Sequence, residues 1–170
     1  MAQDYPTLFR ATKTIPVKPH WDSTDSTWFR LTGSLDIDGV TIGGLELRGQ
    51  ALRSVPDRAV CFQLQHFPAK GTTMVLSRVE WHPVRPHTNP KAGPDHLQLQ
   101  RFHCSHIHRF EDNWLPKQDR TRAGIKVAEP LVPDPTTFQE LLMLVGKEFN
   151  ISGIDKIEAP SWPVETLFGV

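Results

Sequence analysis

The sequence contains no long hydrophobic run. No stretch approaches the ~20 consecutive apolar residues that a membrane-spanning helix needs, and the first residues show neither the basic start nor the apolar segment of a signal peptide. Cysteine is scarce as well: Cys61 and Cys104 each lie in an apolar, strand-like stretch. We therefore expect buried free thiols rather than a disulfide, and a cytoplasmic protein that does not contact a membrane.

A net charge is also missing, because 19 Lys and Arg residues balance 19 Asp and Glu residues. This balance argues against a protein that coats nucleic acid or an acidic membrane through bulk electrostatics. The charges are unevenly spread, however: residues 78–126 hold nine basic and five acidic side chains, whereas residues 127–170 hold two and seven. A locally basic segment favours an anionic ligand, although an imbalance this small also arises by chance.

The usual signatures of enzymes are absent too. The chain has no Walker loop, no paired-glycine dinucleotide motif, no Gly-x-Ser-x-Gly elbow and no zincin helix, which removes the commonest nucleotide-binding and hydrolase classes. Cysteine nucleophile chemistry is not indicated either, because nothing near Cys104 marks its thiol as activated.

What the sequence does have is an alternation of apolar and polar residues, the pattern of half-buried β-strands. Asp38-Gly39 is a tight-turn signal between the first two strands, and the pair Gly43-Gly44 predicts a bulge in the second. The short connection between the third and fourth strands favours an antiparallel pair. The predicted strands cover residues 27–37, 40–47, 58–67, 73–82 and 97–110.

One helix is predicted, with Asp134 as N-cap, Pro135 at the first helical position and a continuous apolar face. We expect a single α+β domain: a mainly antiparallel, twisted sheet of about six strands with this helix packed on it. The predicted segments are an irregular start (1–26, with an edge strand at 13–17), a β-rich body (27–127), the helix (134–150) and an extended tail (151–170).

Histidine is concentrated in one stretch, since six of the eight histidines lie between His82 and His108. Side chains two apart on a strand share a face, so His106 and His108 point the same way. Burial on an apolar face would lower their pKa values and leave neutral imidazoles, which can act as general bases or metal ligands. Two core histidines bound to backbone carbonyls are the structural alternative.

A proline-rich loop with prolines at 83, 86, 90 and 94 precedes this pair and cannot belong to a central strand. It carries His87 and Asn89, which could reach over the sheet toward His106 and His108. Asn89 could equally close a turn on its own backbone.

The favoured hypothesis is a phosphodiester-cleaving enzyme, most concretely a metal-independent endoribonuclease of toxin type that needs no cofactor. One imidazole would accept a proton from the attacking 2′-hydroxyl and another would protonate the leaving oxygen, while arginines stabilise the charge on phosphorus. Arg101 and Arg109 lie on the opposite strand parity from the histidine pair, which weakens their assignment. The predicted catalytic residues are His87, His106 and His108, and the predicted substrate-binding residues are Asn89, Arg101 and Arg109.

Two alternatives stay open. A metal site would combine His106 and His108 with a third ligand from the histidines at 82, 87 or 96, although His-x-His spacing alone is a weak signal. In a non-enzymatic binding or inhibitor protein, the histidines would only hold the loop to the sheet. The neutral total charge favours a binding module and the clustered histidines favour chemistry, so the expected partners are RNA, another anionic ligand or a protein.

Three short motifs resemble a small uncharacterised domain family of bacteria, their phages and mobile elements. They are Arg85-Pro-His-Thr-Asn-Pro90, then Ser105-His-Ile-His-Arg-Phe110, and last a helix ending in Phe149-Asn-Ile151. The resemblance covers roughly residues 73–151 and implies a role in toxin–antitoxin modules or phage–host conflict, without an activity to carry over. The segment after Phe110 departs from the family, because it lacks the compact glycine-bearing acidic turn and continues into a longer polar insertion.

Overall fold

The computed structural model describes residues 4–68 and 71–162. Its strands are β1 (Lys13–Thr14), β2 (Trp28–Ile37), β3 (Val40–Leu52), β4 (Val60–His66), β5 (Met74–Trp81), β6 (His87–Thr88), β7 (Arg101–Phe102), β8 (His106–His108), β9 (Trp114–Leu115), β10 (Arg120–Thr121), β11 (Glu129–Pro130) and β12 (Ile151–Ser152). Its α-helices are α1 (Tyr5–Arg10), α2 (Phe110–Asn113) and α3 (Phe138–Phe149), and short 3-10 turns cover Asp95–Leu97, Pro116–Gln118 and Ile154–Lys156.

The expected α+β class is confirmed, with a large, mostly antiparallel sheet and one long helix. The sheet has eight strands rather than six, in the order β11-β8-β5-β4-β3-β2-β1-β12. The two additional strands, β11 and β12, are two residues long. Alternation is not detectable in so short a strand, which is why the sequence pattern missed them. Among the described residues, no helix is long and apolar enough to cross a membrane.

The hairpin of β2 and β3 follows its sequence signals. Asp38 and Gly39 both adopt positive φ, 51° and 75°, as a tight turn between twisted strands requires. The register shifts at the predicted bulge, where Gly44 has a φ of 79°. A Cβ atom at Gly44 would lie 1.9 Å from the carbonyl oxygen of Phe67, so only glycine fits there.

The sheet has two unlike faces. On one face, alternate residues such as Leu31, Phe62 and Val79 are buried in the core together with Leu141 and Val145 of α3. The opposite face of the central strands carries polar side chains, and we call it the open face. Its residues are Arg30, Arg48, Gln50, Cys61, Gln63, Arg78 and Glu80, which are neighbours across β2 to β5.

The long helix starts later than predicted. It begins at Phe138, where the Thr137 hydroxyl caps the helix by accepting from the Glu140 amide at 3.1 Å. Asp134 is therefore not the N-cap, because residues 134–137 are not helical and the threonine cap lies one turn further on. The helix ends at Asn150, which has a left-handed conformation.

The two ends of the chain are more regular than expected. The start contains α1 and β1, and β1 lies between β2 and β12, so the predicted edge strand is internal. The start of the tail enters the sheet as β12, parallel to β1. Residues 163–170 of the predicted extended tail lie outside the described residues. The predicted strand at 97–110 is interrupted, because β7 and β8 belong to different ladders.

Lys13 joins the ends of two helices. Its side chain is fully buried, and its ammonium donates to the carbonyl oxygens of Phe9 at 2.6 Å, Ala11 at 2.7 Å and Phe149 at 3.1 Å. Burial lowers the pKa of Lys13 to about 8, so the group still carries its proton at neutral pH. The three donated hydrogens satisfy carbonyls that the ends of α1 and α3 leave free.

Lys13→Met is expected to lower the free energy of unfolding by about 2 kcal/mol, because it leaves buried carbonyl oxygens without donors while keeping the apolar part of the side chain. Urea denaturation measures the difference. Lys18→Met is the matched control, since Lys18 forms an exposed ion pair with Glu158 and should change stability by less than about 1 kcal/mol. Equal losses for the two variants would contradict the proposed role of Lys13.

Candidate metal centre

Three histidines from two parts of the chain converge near one edge of the sheet. His106 and His108 lie on β8, and His87 lies on β6 of the small ladder that packs against it. One ligand nitrogen of each ring lies within 4.8 Å of those of the other two. The ring centroids are 4.9, 4.9 and 5.1 Å apart. We call these residues the histidine cluster, and within ranges 4–68 and 71–162 no other group of this kind is arranged to hold a metal ion.

The strand β8 determines the direction of two of the rings. Ile107 points into the core, so His106 and His108 project from the opposite side, where they are 1% and 0% exposed. The Nδ1 atom of His106 lies 3.0 Å from the carbonyl oxygen of Cys104 and must donate its hydrogen there. The Nε2 atom of His106 therefore carries the lone pair, and it is buried without a hydrogen-bond partner among the described residues.

The third ring is oriented by Asn89. The Nδ2 group of Asn89 donates to the carbonyl oxygens of Leu97 at 2.8 Å and Ala128 at 2.7 Å, which determines which end of the amide is the oxygen. That oxygen lies 2.9 Å from Nε2 of His87, and the carbonyl oxygen of Lys126 lies 3.0 Å away. Both partners are acceptors, so Nε2 of His87 carries the hydrogen and Nδ1 carries the lone pair.

His108 contacts two charged side chains of β5. Its Nε2 atom lies 3.0 Å from the Arg78 guanidinium and 3.5 Å from a carboxylate oxygen of Glu80, whereas Nδ1 is buried without a partner among the described residues. The second oxygen of Glu80 lies 3.6 Å from Nε2 of His106. Arg78 and Glu80 also pair with each other at 2.9 Å. A carboxylate and a guanidinium thus border the cluster on the side of the open face.

Burial favours the neutral form of the two β8 imidazoles. Burial lowers the pKa of His106 and lowers the pKa of His108 to about 4. Burial alone would raise the pKa of Glu80, but the contact with His108 and the charge of Arg78 outweigh it and lower that pKa to about 2. Near pH 7 the site therefore contains neutral His106 and His108 beside the ionised carboxylate of Glu80.

The geometry of the cluster is compatible with a bound metal ion. Three imidazoles on one tetrahedral ion, each bound at about 2.0–2.1 Å, have ring centres about 5 Å apart, as observed here. The second nitrogens of His87 and His106 donate to oxygen acceptors, which is how metal-binding histidines are usually oriented. General acid catalysis needs a protonated imidazole, and the burial of His106 and His108 opposes protonation.

The predicted site residues have different surroundings. His87, His106 and His108 come together as expected. Arg101 is exposed on β7, and Arg109 pairs with the carboxylates of Glu129 and Glu148.

Asn89 is 1% exposed, and besides its other bonds its oxygen accepts from the Ala128 amide at 2.8 Å. A substrate contact by Asn89 would have to use atoms that these hydrogen bonds occupy. The alternative of an asparagine that closes only its own turn is also too simple, because the amide ties the loop to a segment 39 residues away.

Sequence reasoning missed Arg78 and Glu80 as neighbours of the cluster. The alternation of β5 indicated that both side chains lie on its polar face, but only the pairing of β5 with β8 places Glu80 opposite His106 and Arg78 opposite His108. Both cysteines are free, as expected, but Cys61 is only partly buried and Cys104 is exposed. Burial raises the pKa of Cys61 to about 12, so its thiol stays protonated.

Comparison with family models, curated proteins and solved structures gives no match to this chain. The resemblance to a domain family of phages and mobile elements stays a prediction. The histidine cluster and its surroundings are therefore the features of the molecule that bear on its function.

Asn89→Ala is expected to lower the free energy of unfolding by at least about 2 kcal/mol, because it leaves buried carbonyl oxygens and an amide without partners. Chemical denaturation gives the loss. Thr88→Ala, an exposed neighbour on β6, is the matched control and should stay within about 0.5 kcal/mol of the parent. A small loss for Asn89→Ala would show that another contact holds the loop to the sheet.

Proposed function

We propose that the histidine cluster binds a divalent transition-metal ion, and that the chain is a metal-dependent enzyme that cleaves phosphodiester bonds. The observation that carries the proposal is the convergence of three imidazoles, two of them almost completely buried, with ligand nitrogens within 4.8 Å of one another. Two buried ring nitrogens without partners would be costly in a purely structural core, since nearly all buried polar atoms in proteins are hydrogen-bonded.

The chemistry of the donors favours zinc or a neighbouring transition metal. Neutral imidazole is a good ligand for Zn²⁺, Cu²⁺, Ni²⁺ and Fe²⁺, whereas Mg²⁺ and Ca²⁺ prefer oxygen ligands. Three protein ligands are the number found in catalytic zinc sites, which keep a fourth position for water or substrate. Structural zinc sites usually recruit cysteine, and the exposed Cys104 is not part of the cluster.

Two side chains beside the cluster suit hydrolysis. When bound, the metal would supply a polarised water whose pKa is lowered toward about 7. The ionised carboxylate of Glu80, 3.6 Å from Nε2 of His106, is placed to accept a proton from that water. Arg78, 3.0 Å from Nε2 of His108, brings a positive charge to the same place and would stabilise the charge on a phosphoryl group.

The phosphodiester substrate is supported by charge. Residues 78–126 hold nine basic and five acidic side chains in a chain without net charge, and Arg78 and Arg85 line the cavity that adjoins the cluster. An endoribonuclease of a toxin module is the most specific form of the proposal, and its biological setting depends on the family resemblance alone.

The metal is tested by titrating the purified, metal-free protein with Zn²⁺ in a calorimeter and by elemental analysis after dialysis. We expect one equivalent per chain, and a loss of affinity of at least 100-fold in His106→Ala and in His87→Ala. His96→Ala is the matched control, since His96 is exposed and does not belong to the cluster. No binding by the parent protein, or unchanged binding by both variants while circular dichroism shows them folded, would refute the metal site.

Catalysis is tested with bis(p-nitrophenyl) phosphate and with a labelled RNA. Glu80→Gln should retain the metal but lose at least about 100-fold in kcat, because the amide cannot accept the proton. Glu46→Gln, on β3, is the control and should retain activity. Cleavage that survives in chelator but disappears in His106→Ala would favour the metal-free acid and base mechanism instead. If the parent protein cleaves neither substrate and His106→Ala is less stable than the parent, a binding module with structural histidines would be favoured.

A further inference from the structure

The open face connects directly to the histidine cluster. Residues that pair across antiparallel strands lie side by side on one face. Pairing across β2 to β8 produces two rows that end at the cluster. The first row is Arg30, Gln50, Cys61, Glu80 and His106, and the second is Thr32, Arg48, Gln63, Arg78 and His108.

A groove follows these rows. A small cavity of about 120 Å³ over β2 to β4 adjoins a larger one of about 600 Å³ that reaches β5 and the loop after it. The two cavities share Gln50, Cys61 and Gln63 in their walls. The larger cavity also includes Arg78 and Glu80, the two side chains that border the histidine cluster. The groove therefore leads from the middle of the open face to the proposed metal.

The groove concentrates positive charge. Its walls contain four arginines and one carboxylate, Glu80, in a protein whose total charge is zero. Arg30 pairs with Asp25 at 3.0 Å and Arg78 pairs with Glu80. Within ranges 4–68 and 71–162, Arg48 and Arg85 form no ion pair. These two guanidiniums are therefore free to bind anions.

The remaining lining suits a polymer of nucleotides. Gln50 and Gln63 offer amide donors and acceptors to base or sugar edges, and the half-buried Trp28 supplies an aromatic ring on which a base could stack. The cluster itself is recessed, with His106 1% exposed. A phosphate that approaches the cluster from the groove has to enter beside Arg78 and Glu80, a position that a flexible single strand reaches more easily than a stiff duplex.

We propose that this groove binds a single-stranded polynucleotide, with Arg48 and Arg85 contacting phosphates and Arg78 receiving the phosphate that enters the histidine cluster. The proposal rests on the proposed function for its catalytic end, but its binding part does not require a metal. It names the substrate class as a single-stranded polymer rather than a small phosphodiester or a duplex.

The test is fluorescence anisotropy of a labelled 12-nucleotide RNA, the matching DNA and the corresponding duplex, with the full chain in EDTA at 50 mM salt. We expect single strands to bind at least tenfold more tightly than the duplex. Comparison of the RNA and DNA arms then identifies the sugar. Arg48→Ala and Arg85→Ala should each weaken binding severalfold, the double variant by at least tenfold, and each lost phosphate contact should reduce the salt dependence by about one unit of slope.

Arg10→Ala and Arg120→Ala, exposed arginines outside the groove, are the controls and should bind as the parent does. Equal losses in the controls, preference for the duplex or absence of binding would overturn the groove proposal. The binding assay contains EDTA, so its result does not depend on a metal. If the parent protein binds single strands but has no zinc affinity and cleaves no substrate, the groove proposal stands and the proposed function is refuted. If the protein binds zinc and cleaves bis(p-nitrophenyl) phosphate but binds no polynucleotide, the proposed function stands and the groove proposal is refuted.

Discussion

The pairing of β5 with β8 is the constraint on which the site depends. It sets Glu80 opposite His106 and Arg78 opposite His108, and it leaves Ile107 pointing into the core. A slip of one residue would exchange the faces, burying charged side chains and turning His106 and His108 away from His87. The apolar residues that alternate with the site residues therefore determine the site geometry, since burying Val79 and Ile107 stabilises one register over the other.

The second constraint is the buried amide of Asn89. It joins two separated parts of the backbone, at Leu97 and Ala128, to the ring of His87, and so holds the proline-rich loop in place. Prolines make that loop stiff, which lowers the entropy lost when His87 takes its place. Among the described residues, four buried side-chain atoms have no hydrogen-bond partner, and two of them are ring nitrogens of His106 and His108; the others are the Nε atoms of Arg78 and Arg122. Such atoms are rare in proteins, so the pair within one cluster calls for a ligand.

Much of the fold could be predicted because its signals are local. Asp38-Gly39 and the glycine bulge specify the first hairpin without help from the rest of the chain. The predicted start of α3 was wrong by one turn, because Pro135 also fits the first position of a helix capped by Asp134, whereas the observed cap is the Thr137 hydroxyl, which accepts from the Glu140 amide. The two-residue strands at the sheet edges could not be predicted, since contacts with distant strands, rather than their own composition, give them their conformation.

The sequence by itself determined that His106 and His108 share a face, because a strand repeats every two residues, and that a stiff loop carries His87 toward them. Only the tertiary structure decided that the three rings meet, that Arg78 and Glu80 border them, and that Arg109 is held by Glu129 and Glu148. The physical reason is range: strand periodicity acts between neighbours, whereas these contacts depend on strand register and on hydrogen bonds that span up to 39 residues.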